Sequence, residues 1–302
     1  MTPTRRTFLA TAGSTVTLAT AGCLQSGPDP AAKVDEHRST LETYGDVATA
    51  MDREYRTLAR YVQSDAGVLG ETLLARSPGS PSPETPHAVT FDLTEDGAYE
   101  PLALKWFVPA TEVDSAPSLF GRSFDGPIEP SHGLLPRHYY LHVWLFRENP
   151  DGLFARYNPD VQPPSYIGTV DRARSALDVY ARSKKAVQDG YGNPETCAKD
   201  RSDAAYGVPF VKDPGGGMAL EDPPILRYRL TSNWSYLLLG AEWFRPADAV
   251  DSPPSMFGQS FHEPMPGHLE KTGQPRHYGL HAWLFRSNPN GMFAPYNPAI
   301  TC

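Results

Sequence analysis

PRHYYLHVWLFRENPDGLFARYNP (residues 136–159) and PRHYGLHAWLFRSNPNGMFAPYNP (residues 275–298) agree at 18 of 24 positions without a gap. Each copy holds two histidines four apart, a tryptophan and arginines. Whether the block is helix or strand decides the fold. HYYLHVWLF is rich in aromatic and β-branched residues and follows Pro136, which favours a strand. ENPDG then makes a turn in which Pro150 presets φ and Gly152 tolerates the exit geometry, and SNPNG repeats it around Asn288. Alternation places His138, Tyr140, His142, Trp144 and Phe146 on one face and Tyr139, Leu141, Val143 and Leu145 on the other. Both faces are largely apolar, so the strand is expected in the middle of a sheet covered on both sides.

The repetition extends outward from this block. VDSAPSLFGRSFDGP from Val113 matches VDSPPSMFGQSFHEP from Val250, LALKWFVPA from Leu102 matches LLGAEWFRPA from Leu238, and RSTLETY from Arg38 matches RSALDVY from Arg174. The order is kept throughout, which predicts a tandem duplication of a unit of domain size. Unit 1 covers 34–165 and unit 2 covers 166–302, with the boundary near VQPPSYIG. The expected fold class is α+β, each unit a helix packed on a small antiparallel sheet. In unit 1, Leu41, Tyr44, Ala48, Met51, Tyr55, Leu58 and Val62 follow the spacing of one long helical face. In unit 2, Leu177, Tyr180, Val187 and Tyr191 repeat its start, with Lys184 on the same face and GNPE as the stop. AVTFDL, ILRYRL, LALKWFV and SYLLLGAEWF read as strands.

The N-terminus carries Arg5-Arg6 and then an uncharged, Thr-rich run up to Cys23. The pattern matches a twin-arginine export signal over 1–22, and TAGC matches a lipobox, which makes Cys23 the lipidated residue and 23–33 a tether. The expected location is extracytoplasmic, on the outer face of the cell membrane, with the membrane itself as a partner through the lipid. The formal charge is −8, with no basic patch, so no nucleic-acid partner is expected. Outside the cytoplasm the two other cysteines, Cys197 and Cys302, are expected to pair. Asn233, in NWS, is a candidate glycosylation site.

Six histidines form corresponding triplets: His132, His138 and His142, and His268, His277 and His281. On a strand, residues four apart lie about 13 Å apart along the chain, too far for one ion bound at about 2 Å. A metal site would therefore need a loop histidine and a carboxylate from another strand, as in His268, His281 and Glu242; the position matching Glu242 in unit 1 is Lys105. Otherwise His138, His142, Trp144 and Arg137, with His277, His281, Trp283 and Arg276, suit a planar, polar or anionic small molecule. The serine-nucleophile, zinc-protease and P-loop motifs are all missing from the sequence. The expectation is a non-enzymatic, small-molecule-binding or structural envelope module with no cofactor. The alternative is a hydrolase-like enzyme using a divalent metal. The sequence leaves the oligomeric state open.

Unit 2, and more distantly unit 1, resembles a group of secreted proteins and lipoproteins of haloarchaeal type. The resemblance rests on FGQSFHEPMPGH and on HYGLHAWLFRSNPNGMFAPYNPAITC, that is, on the motif HYxLHxWLFxxNPxGxFAxYNP. It implies export and brings no established activity with it. Members of the group carry a further His-Tyr pair after a glycine-rich stretch; here that stretch reads GGGMALEDPP from Gly215, without histidine.

Overall fold

The computed structural model describes residues 29–53, 55–59, 63–64, 67–68, 70–74, 80–129, 135–192, 196–199, 203–265 and 275–302. Arg5, Arg6, Cys23, His132 and His268 lie outside the described residues. The architecture is α+β, with antiparallel sheet outweighing helix. Two six-stranded sheets share one strand order. The first contains β1 (Arg56–Ala59), β2 (Glu71–Leu74), β3 (Ala88–Leu93), β4 (Tyr99–Pro109), β5 (Asp125–Ile128) and β6 (His138–Val143), in the order β1-β2-β3-β4-β6-β5. The second contains β7 (Ala198–Lys199), β8 (Ala205–Val211), β9 (Ile225–Leu230), β10 (Tyr236–Pro246), β11 (His262–Met265) and β12 (His277–Ala282), in the order β7-β8-β9-β10-β12-β11. The register also corresponds: His142 faces Lys105 as His281 faces Glu242.

The opening block supplies β6 and β12. Each lies between a long strand and a four-residue edge strand, one place from the sheet edge and not at its centre, and both of its faces are buried. The strand stops at Val143, because Trp144 turns its backbone N–H to the Leu153 carbonyl across the proline-glycine turn. That turn is clasped by two asparagines. Asn149 donates to the Tyr157 carbonyl and Asn158 to the Glu148 carbonyl; Asn288 donates to Tyr296 and Asn297 to Ser287. These four bonds give a structural reason for NP and YNP to recur together.

Unit 1 does not open with one long helix. It has α1 (Pro30–Glu36), α2 (Arg38–Glu42), a 3₁₀ turn (Thr43–Gly45) and α3 (Val47–Asp52). Asp46 is extended, at φ −91° and ψ 122°, and its carboxylate accepts the Thr49 N–H at 2.8 Å, so it caps a new helix instead of continuing the old one. Gly45 permits the break: a Cβ there would stand 2.7 Å from the Phe146 ring. Val47 is buried in place of Ala48. Tyr55 stays buried beyond the helix end, its hydroxyl donating to the Pro86 carbonyl. Leu58 lies in β1, and Val62 is outside the described residues.

Unit 2 has α4 (Ile167–Leu177), a 3₁₀ turn (Asp178–Tyr180) and α5 (Ser183–Gln188). Val187 does not face the core; it is 57% exposed. Arg182 adopts an extended backbone and bridges to Leu237, so α5 restarts out of phase. Ala186 is thereby buried, and the conflict of placing Lys184 on an apolar face disappears, since Lys184 is exposed. Under these helices, Val170, Ala173, Leu177, Leu226, Tyr228, Ala241, Trp243, Leu280 and Ala282 form one core. The β3–β4 turn of unit 1 joins it: Gly97 accepts the Met292 N–H, and Tyr166 donates to the Thr94 carbonyl. Cys197 and Cys302 form a disulfide with Cα atoms 5.6 Å apart, closing 105 residues of sequence. No helix among the described residues is long and apolar enough to cross a membrane.

Candidate functional site

One face of the second sheet packs under the helices. The other face carries a buried polar cluster centred on Glu242 of β10. Its carboxylate receives groups from three strands. On β12, His281 Nε2 stands 3.3 Å and His277 Nε2 3.6 Å from Oε1. On β9, Arg227 Nη2 stands 3.1 Å from Oε2, and on β8 the Tyr206 hydroxyl donates to the same oxygen. Glu242, His277 and His281 are all 0% exposed.

Local geometry explains the convergence. Gly279 lies between the histidines, and a Cβ there would come within 3.1 Å of Oε1, so glycine leaves the notch that the carboxylate fills. Tyr206 and Val208 are two apart on β8, yet Val208 packs under the helices while Tyr206 reaches Glu242. Gly207 between them has φ 88°, the signature of a bulge that re-aims a side chain. The Arg227 guanidinium lies over the Tyr206 ring and donates to the Tyr206 carbonyl at 3.1 Å. His277 Nδ1 is 2.8 Å from the Pro275 carbonyl, which turns Nε2 toward Glu242. The His262 ring of β11 lies 5.9 Å from that of His281.

Burial opposes ionisation of Glu242, but His281 and His277 outweigh it and hold the carboxyl at about 2. Burial, and then the Arg227 charge, push His281 down to about 3 despite the pull of Glu242. Burial lowers Arg227 as well. Arginine still keeps its charge at neutral pH, so the cluster rests on a desolvated Arg227–Glu242 pair with a neutral His281 beside it.

The first sheet places different chemistry on the same frame. Lys105 occupies the position of Glu242, and Tyr140 that of Gly279. His138 Nδ1 keeps its carbonyl bond to Pro136 at 2.8 Å. Neither ring nitrogen of His142 has a hydrogen-bond partner among the described residues, nor does Nε2 of His138. Arg156 lies 5.3 Å from the centre of the Tyr140 ring and Lys105 Nζ 5.5 Å from it. Burial and the Arg156 charge bring Lys105 down to about 8. Burial, then Lys105, Arg156 and His138, lower His142 well below its ordinary value.

The expected ligand-binding set therefore divides. His277 and His281, and His138 and His142, are gathered on buried faces. Trp144 and Trp283 are buried and donate their indole N–H to the Ala155 and Ala294 carbonyls, so they brace the turn. Arg137 and Arg276 are exposed; Arg137 pairs with Glu129 at 3.3 Å, and Arg276 donates to the Pro264 carbonyl. Glu242 and His281 of the expected metal set do meet. The reasoning that separated residues four apart on a strand is corrected by the geometry, because His277 and His281 lean toward one oxygen held between them. No group of three or more His, Cys, Asp or Glu among the described residues is arranged as a metal site. Asn233 is exposed in the β9–β10 turn, its Oδ1 accepting from Ser235 at 2.7 Å. Arg227 and Tyr206 carry no recognisable motif, and His262, Gly279 and Arg156, although they lie within the quoted repeats, are not singled out there as site residues.

No family model matches the chain, and no curated protein or solved structure matches it.

Proposed function

We propose that the chain is an exported lipoprotein, built by tandem duplication of one α+β unit, that is held at the outer face of the membrane by a lipid on Cys23 and binds a small molecule. The binding part is carried by one observation: equivalent sheet faces are finished differently. In unit 2 the polar cluster is closed by its own carboxylate. In unit 1 the corresponding histidines face cations, Lys105 and Arg156, with no carboxylate in the place of Glu242. The disulfide supports an oxidising compartment, as does the signal-like N-terminus. Duplication is supported by the shared strand order and by the 18 matching positions of the opening block.

A second reading, a metal-dependent hydrolase-like activity on His268, His281 and Glu242, is favoured by the approach of two histidine nitrogens to one oxygen of Glu242. There a divalent ion would activate water. Arg227 on the opposite oxygen weighs against it, since a cation would have to share Glu242 with a buried guanidinium.

Two measurements test the proposal. Cys23→Ser should release the protein from the membrane fraction into the medium, and undiminished retention would refute the anchor. Thermal unfolding of the mature protein should be screened against anionic, neutral and cationic small molecules and against zinc. One or more organic compounds should raise the midpoint in a saturable manner. Stabilisation by zinc alone, with stoichiometric metal in the purified protein, would favour the hydrolase reading; no stabilisation by anything would leave a purely structural role.

A further inference from the structure

From the comparison of the two sheet faces we infer that unit 1 binds a small carboxylate at Lys105, His142, His138 and Arg156, in the place where unit 2 uses Glu242. This names the ligand class within the binding role proposed above and rests on that reading.

The argument starts from unit 2, which displays the complete arrangement. Two histidines on one strand, four residues apart, offer Nε2 atoms to a carboxylate that also meets a cation and a hydroxyl. Glu242 supplies the negative charge at the centre of that cluster, with Oε2 bonded to Arg227 and Tyr206 and Oε1 3.3–3.6 Å from the two imidazoles. In unit 1 the strand pairing and the first histidine's carbonyl bond are the same. The carboxylate, however, is replaced by an ammonium group. The unmatched groups then accumulate: both nitrogens of His142, which is 1% exposed, Nε2 of His138, and the half-buried Lys105. The charge that bears on Lys105 is a like charge, from Arg156. Asp125 on β5, opposite Tyr140, is itself approached by Arg122 at 3.8 Å.

What sets the unit 1 face apart is charge: Lys105 and Arg156 both bear on the buried His142, and no carboxylate among the described residues pairs with either cation, which leaves a place for an acceptor from outside the chain. Only an acceptor with negative charge answers both cations while accepting a hydrogen bond from an imidazole N–H. A planar carboxylate matches the forked donors of an arginine. Access is available, because Arg156 is exposed and Lys105 is only half-buried. Tyr140, which fills the notch that Gly279 leaves open in unit 2, moves the ligand outward toward Arg156 and supplies a ring wall.

The test is calorimetric titration of the mature protein, at low salt, with propionate, which reproduces the end of a glutamate side chain. Saturable one-to-one binding is expected. Lys105→Met and Arg156→Gln should each weaken it by about tenfold, the loss of one charged contact. Lys185→Gln, which removes an exposed cation of unit 2, should leave it unchanged. Arg156 is at the surface, so its variant remains informative if Lys105→Met fails to fold. Absence of saturable heat, or binding that survives both variants, would overturn the inference. Sulfate binding as tightly as propionate would overturn the carboxylate assignment. If propionate fails while a neutral or cationic compound stabilises the protein in the thermal screen, the binding role stands and this ligand class falls.

Discussion

Glu242→Ala is expected to lower the unfolding free energy by about 3–5 kcal/mol, the range found when one partner of a buried ion pair is removed. The loss would come from what remains and not from the net worth of the pair. Arg227 is 1% exposed and would keep its charge with no counter-charge, and the Tyr206 hydroxyl would lose its acceptor. His277 and His281 would face an emptied notch over Gly279. The contrast is with the exposed pairs of this chain, such as Lys199–Asp203, where about 0–1 kcal/mol is expected. Urea unfolding of wild type and variant measures the difference. Replacing Arg227 by Met in the same chain should return most of it, because the stranded charge is then gone. A loss under about 1 kcal/mol in Glu242→Ala would mean that Arg227 escapes to water, and the closed cluster would then be the wrong description.

Strand identity was legible wherever alternation was bounded by turns. AVTFDL and ILRYRL fall on β3 and β9 to the residue, and the proline-glycine turn ends the opening block as its composition implies. The helices were less legible. A 3–4 spacing can run across a break, and the capped restart at Asp46 and the extended Arg182 are backbone events that periodicity does not register. The site was legible only in part. Distance along a strand separated His277 from His281, while their meeting depends on a side chain reaching across from β10 and on the space above Gly279. Arg227 and Tyr206 come from two further strands, and Tyr206 arrives by way of a bulge. A signal was nevertheless present. Glu242 against Lys105, Gly279 against Tyr140 and Arg227 against Thr90 all differ between corresponding positions and all lie on one face. Identity between the copies marked the clasp; concerted difference marked the cluster.

Stability should fall as pH drops below about 6.5, the ordinary value of histidine, because the buried His138, His142 and His281 all resist protonation. His142 is held well below its ordinary value by burial and by Lys105, Arg156 and His138. His281 is held near 3 by burial and Arg227, against Glu242 and with His262 alongside. The sign follows from proton binding. All three values are depressed in the folded chain, so below about pH 6.5 the unfolded chain takes up protons that the native chain refuses. The stabilisation is therefore complete above the unfolded value and is lost as pH falls toward the folded one. His142 and His281 each contribute a slope of about 1.4 kcal/mol per pH unit, on the order of 2 kcal/mol between pH 6.5 and 5. Glu242, depressed to about 2, adds to the loss only once the pH passes below the ordinary carboxylate range. Urea midpoints measured from pH 7.5 to 5 should shift steadily downward with unchanged m-value. His142→Leu should remove a distinct part of that slope and leave the shares of His138 and His281, because it takes away one titrating group while keeping the site filled. A midpoint that holds constant down to pH 5, or a slope that His142→Leu leaves intact, would show that these rings reach water and protonate in the native chain.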